Sequence, residues 1–180
     1  MSETDRDFRE FVAAHLERLR ALAYITCGDW QLAEDAVATV LSRMYPRWER
    51  IEQPAVYARQ AVVRAAISEK RRPWWRRERS AGDALPEVSL ADHSGPVDER
   101  LRLHAALLRV PVGLRSVLVL RFIEGLSVAE TAEALGRPEG TVKNYTSRGL
   151  EAMRRILGPN LTDLEGDKHV TAFARHSADG

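Results

Sequence analysis

Phe8, Phe11, Val12, His15, Leu16, Leu19, Leu22, Ala23 and Ile25 recur at helical spacing, which predicts an amphipathic helix over residues 6–27. Gly28-Asp29 ends it. Asp29 is placed to cap a second helix from about Trp30 to Trp48, with Ala33, Ala36, Val37, Val40, Leu41 and Met44 as its apolar stripe. Pro46 falls in the last turn of that pattern, so the helix stops or bends earlier. Pro54 suits the first turn of a third helix over about 54–72, and Pro73 ends or kinks it. Residues 80–97, SAGDALPEVSLADHSGPV, are rich in Ser, Ala, Gly and Asp, lack clear periodicity and read as a linker. Helical patterning resumes from Asp98 to Leu157. It is broken at Val110-Pro111-Val112-Gly113, and Leu114–Ile123 forms a further apolar-striped helix. Gly158-Pro159 stops the last helix, leaving residues 159–180 as a polar, frayed tail. No β-like alternating run stands out. The expectation is an all-α protein of two small helical domains, 6–79 and 98–158, joined by a flexible acidic linker.

Within the second block, SVAETAEALGRPEGTVKNYTSRGLEAMRRIL (127–157) has the spacing of a helix-turn-helix. Ser127 with Glu130 makes a capping box that starts the first helix. Ala132 is small where two helices must touch. Gly136, four residues on, can take the left-handed turn conformation, and Val142, six further, anchors the second helix. With Val142, Leu150, Met153 and Leu157 inward, Thr141, Lys143, Asn144, Ser147 and Arg148 face out, where they can reach phosphates and base edges in a major groove. The bland alternative is an ordinary charged helix face.

Charge changes the picture through its distribution. The net charge is only +1, yet Lys70–Arg79 holds six basic residues and one acid, while Ala81–Glu99 holds five acids and no Lys or Arg. One cysteine, Cys27, excludes an internal disulfide and a cysteine-based zinc site. No apolar run approaches membrane-spanning length, and MSETDRDFRE lacks the features of a signal peptide, so a cytoplasmic protein is expected.

The order of these parts resembles a bacterial sigma factor of the compact extracytoplasmic-function (ECF) type, and within it the actinobacterial SigE branch. The N-terminal likeness runs through GDWQLAEDAVATVLSRMYPRW and PAVYARQAVVRAAISEKRRPWWRRE. The C-terminal likeness runs through RVPVGLRSVLVLRFIEGLSVAETAEALGRPEGTVKNYTSRGLEAMRRIL. Together they cover roughly residues 8–157. The resemblance implies two domains, region 2 and region 4, and a protein that binds core RNA polymerase, directs it to promoter DNA and helps melt it. Region 4 would read the −35 element as duplex. Region 2 would capture the −10 element as single strand and dock on the polymerase clamp. The linker would thread near the polymerase active-site and RNA-exit channels, and an anti-sigma protein would regulate by competing for the polymerase-facing surfaces.

The residues suit these roles. For the −35 element, Arg148 and Asn144 can make bidentate contacts to guanine and adenine, and Lys143 can neutralise phosphate, beside Thr141 and Ser147. For the −10 element, single-stranded DNA needs cations along its backbone and flat groups for its bases. Arg59, Arg64, Lys70, Arg71, Arg72 and Arg76 supply the first; Trp74 and Trp75 supply the second, unless one of them is simply core. For polymerase docking, Asp35, Ala38, Thr39, Ser42 and Arg43 form the outward face of the second helix. Two departures stand out. Where many relatives read Asp-Leu-Val-Gln-Glu-Thr, this chain has Ala38 and Thr39 in place of the polar pair. Arg64 stands where relatives carry Asn, which either alters −10 preference or shifts reliance to phosphate.

Other chemistry finds no support. Asp92-His93-Ser94 are adjacent in a linker and cannot converge as a triad does. No pair of histidines has metal-ligand spacing with a supporting acid or Cys, and no glycine loop cradles phosphate. His15 and His104 read as packing or surface residues, and Cys27 as a small buried one. The expectation is a non-enzyme without cofactor, metal, small-molecule substrate or membrane contact. Two rivals remain: a free-standing repressor or activator using only the helix-turn-helix, and a sigma-like interaction protein that has lost initiation. The Trp-rich basic segment argues against the first; Ala38, Thr39 and Arg64 keep the second open.

Overall fold

The computed structural model describes residues 3–70 and 96–158, and every regular element among them is helical. The chain divides into two units, Met1–Trp75 and Arg76–Gly180. The linker segment 71–95 and the tail 159–180 lie outside the described residues.

In the first unit, α1 spans Glu3–Cys27 and ends where Gly28 turns to a φ of 75°. The Asp29 carboxylate then accepts from the Leu32 N–H at 3.0 Å and caps α2, Trp30–Met44. The pattern extended α2 to Trp48, but the α-helix stops at Met44 and tightens into a 3₁₀ turn, Tyr45–Arg50. Pro46 sits in the first positions of that turn, where its missing N–H costs little. The tighter turn brings Trp48 back against α1, with its ring centroid 5.1 Å from Phe8 and 4.9 Å from Phe11. Helix α3, Pro54–Lys70, completes the unit. Its Ala58, Val62 and Ala66 close a core with Leu19, Ala23 and Cys27 of α1 and Ala33, Ala36, Val37, Val40 and Met44 of α2. The many alanines let three helices approach closely.

The second unit begins one turn earlier than the periodicity suggests. Its first helix, α4, spans Pro96–Arg109, so Pro96 and Val97 belong to a helix and not to the linker. A proline at the first helical position explains the start. Helix α5 starts at Val112, directly after Pro111, and runs to Leu118. The segment Val119–Ile123 then opens into a π turn, in which the Glu124 N–H reaches Val119 O at 3.0 Å. Helix α6, Val128–Leu135, opens on the capping box: Ser127 N–H donates to Glu130 Oε2 at 2.7 Å, and Glu130 N–H to Ser127 Oγ at 3.1 Å. It closes on Gly136 with φ 59° and ψ 42°, in a Schellman arrangement where Arg137 N–H reaches Ala132 O at 2.9 Å. Helix α7, Glu139–Leu157, follows.

Candidate nucleic-acid interfaces

Two surfaces carry the chemistry, one in each unit. In the second unit, Val117 of α5, Ala132 of α6 and Val142 of α7 meet in one core cluster, so the small residue, the left-handed glycine and the aliphatic do what their spacing suggests. Gly149 adds a contact not evident from the pattern. A Cβ there would stand 3.0–3.1 Å from three atoms of the Leu118 side chain, so α7 crosses α5 at a distance only glycine accepts without rearrangement. Tyr145 lies over Gly113, and the Arg137 guanidinium stands 5.5 Å from its ring centroid, tying the turn to the middle of α7.

This packing fixes which face of α7 is outward. Lys143, Asn144, Ser147 and Arg148 are exposed, as the pattern suggests. Thr141 is only half-buried and not fully outward, and Leu150 is half-buried while Gly149 and Ala152 take the interior places beside Met153 and Leu157. Lys143 Nζ lies 3.9 Å from Glu139 Oε2, one turn back, in an exposed pair. Ser147 Oγ donates to Lys143 O at 3.2 Å. At the start of α6, the Glu130 carboxyl is held below the usual carboxylate range, first by the Ser127 backbone N–H and then by its side chain.

In the first unit, α2 and α3 enclose a groove of about 310 Å³. Thr39, Val40 and Arg43 line it from α2; Tyr57, Ala61, Arg64, Ala65 and Ser68 line it from α3. Arg43, Tyr57, Arg64 and Ser68 are exposed, and Val40 with the alanines gives an apolar floor. No carboxylate lines the groove among the described residues. Arg43 and Arg64 enter it from opposite helices, which brings together one residue expected at the polymerase surface and one expected at the −10 element. Thr39 is half-buried there, and not part of a fully exposed docking face. Asp35, Ala38 and Ser42 are exposed and do not line the groove; Asp35 accepts from Gln31 at 3.3 Å, and Ser42 Oγ donates to Thr39 O at 3.0 Å. Arg59 is half-buried and engaged by other groups. Lys70 is the last residue of α3. Arg71, Arg72, Trp74, Trp75 and Arg76 lie outside the described residues. Sequence reasoning passed over Tyr57, although its spacing to Ala61, Arg64 and Ser68 is one helical stripe.

Elsewhere, no group of three or more His, Cys, Asp or Glu among the described residues could hold a metal ion. No helix among them is long and apolar enough to cross a membrane.

The model of the Sigma-70 region 4 family matches residues 100–153, the stretch that contains the helix crossing. The RNA polymerase sigma-E factor of Streptomyces coelicolor is 34% identical over 154 residues, covering 84% of this chain and 86% of that one. The chain belongs to the ECF RNA polymerase sigma factors. A second relative, the ECF RNA polymerase sigma factor SigL of Mycobacterium tuberculosis, is 32% identical over 136 residues, covering 72% of this chain and 77% of that one. Among solved structures, the sigma factor RpoE from Bartonella quintana, crystallised with the anti-sigma factor NepR, shares the all-helical fold with a TM-score of 0.58 at 21% identity, covering 84% of this chain and 97% of that one.

Proposed function

We propose that this ECF sigma factor binds core RNA polymerase and directs it to its own promoters, with the exposed face of α7 reading the −35 duplex. The observation that carries this is the tight crossing of α7 on α5 and α6, which buries Val142 and Gly149 and leaves Lys143, Asn144, Ser147 and Arg148 together on the open side of a region 4 helix. A helix N-terminal half bearing an amide, an ammonium and a guanidinium is equipped for base edges and phosphates alike.

The first unit serves the −10 element and the polymerase. The α2–α3 groove receives the opened strand: Arg43 and Arg64 supply positive charge, and Tyr57 supplies a face for a base. The stripe Tyr57–Ser68 leads along α3 into Lys70 and the basic run that follows, so a strand tracked by those cations continues into the groove. Arg43 therefore works on the DNA side. Asp35, Ala38 and Ser42, which are exposed outside the groove, remain for the polymerase. An anti-sigma protein is the natural regulator, since a solved sigma factor of this fold was crystallised with one. The protein acts in the cytoplasm, and the polymerase supplies the chemistry.

Run-off transcription with sigma-free core polymerase of the host and a pool of host promoter fragments tests this. Specific transcripts that disappear in the Lys143→Ala, Asn144→Ala, Arg148→Ala triple variant are expected. No transcript, together with no co-migration with core polymerase, overturns the reading.

A further inference from the structure

We infer that the α2–α3 groove selects guanine in the unpaired strand and that Arg64 is the residue that makes the choice. This rests on the proposed reading that the groove receives the opened strand, and it adds which base is preferred.

The argument is one of donors and acceptors. Arg43 and Arg64 line the groove from opposite helices. A guanidinium only donates. Ser68 spends its proton on Arg64 O at 3.0 Å. Neither carboxylate nor side-chain amide lines the groove among the described residues, so nothing stronger than a hydroxyl accepts there. The exocyclic amino groups of adenine and cytosine need an acceptor and find a donor-rich wall. Guanine presents two adjacent acceptors, O6 and N7, which match the fork of one guanidinium. Thymine offers a single carbonyl on that edge and ranks second.

Geometry assigns the two arginines different tasks. On α3, Arg64 stands between Ala61 and Ala65, both floor residues small enough to leave room for a ring beside it, with Tyr57 on the same stripe as a stacking face. Arg43, from the other helix, is left to neutralise the phosphate of the nucleotide. The competing account is a groove that collects phosphates without regard to base. It expects each arginine to contribute charge alone.

The two accounts separate in one experiment. Holoenzyme is assembled from the chain and its host core polymerase. Its binding to fluorescent single-stranded oligonucleotides is read by anisotropy, using an adenine-rich strand with guanine, thymine, cytosine or adenine at one central position. The guanine strand is expected to bind about tenfold tighter than the adenine strand. Arg64→Lys, which keeps the charge and loses the fork, is expected to bind all four strands equally. Arg43→Ala is expected to weaken all four by the same factor and to keep the order. Equal binding of the four strands by the unaltered protein, or a guanine preference that survives Arg64→Lys, overturns the inference while leaving the groove as a strand site. Binding of every strand unchanged in an Arg43→Ala, Arg64→Ala double variant overturns the strand-site reading itself, and the inference with it.

Discussion

Gly149 and Gly140 lie on the same helix, and replacing each with alanine should move stability in opposite directions. Both substitutions gain helix propensity, up to about 1 kcal/mol each. At Gly140 no atom stands within 4 Å of the new methyl group, so that gain is all that happens. At Gly149 the methyl group would sit 3.0 Å from Leu118 Cγ and 3.1 Å from both of its δ carbons. Leu118 is itself buried, 4% exposed, at the end of α5, so the whole side chain must shift inside a filled core. Overpacking of this kind costs about 1–3 kcal/mol. The expected net is a Gly149→Ala protein destabilised by about 0–2 kcal/mol and a Gly140→Ala protein stabilised by up to about 1 kcal/mol. In a domain this small each kcal/mol moves the midpoint by about 4–8 °C, so calorimetry of the full chain resolves the gap. The Trp48 environment in the first unit should not change in either variant. Adding Leu118→Val to Gly149→Ala should recover part of the loss, although Leu118→Val alone costs about 1 kcal/mol for the deleted methylene. If Gly149→Ala stabilises as much as Gly140→Ala, the close crossing does not constrain α7 and the argument for its outward face fails.

Two further outcomes follow from the same unit. Ser127→Ala should cost about 1 kcal/mol by removing the cap of α6. Because the Ser127 N–H lowers the folded pKa of Glu130 below its unfolded value of 4.5, the Glu130 contribution is present above that value and is lost as pH falls through the folded pKa; acid titration of unfolding should show a shallower loss in Glu130→Gln. On DNA, Arg148→Ala should cost about 1–3 kcal/mol and relax selectivity at one −35 position, whereas Lys143→Ala should weaken all sequences alike and lower the salt slope by about one; a Lys143→Ala protein with an unchanged slope would remove Lys143 from the phosphate contacts.

Much of the second unit was legible because its signals are local. Ser127 and Glu130 lie three residues apart, and Ala132, Gly136 and Val142 fall within three turns, so a single helix pair decides them. Asp29 was legible for the same reason. What escaped depends on partners distant in sequence. Gly149 reads as a weak point in a helix until Leu118 is placed against it. The groove joins Arg43 and Arg64, separated by the 3₁₀ turn and half of α3, and no one-dimensional pattern pairs them. The π turn at Val119–Ile123 looks like ordinary helix, since its apolar periodicity is unbroken and only the hydrogen-bond register widens. Thr39 and Thr141 were misplaced by less than a turn, because a helical wheel gives direction but not the height of the neighbouring wall.

The division of labour along α7 also bears on how such a protein changes over time. The positions that hold the helix, Val142, Gly149, Ala152, Met153 and Leu157, share no member with the exposed set Lys143, Asn144, Ser147 and Arg148. Substitutions in the second set leave the interior untouched, so a duplicated copy can drift towards a different promoter, one side chain at a time, without passing through an unfolded ancestor.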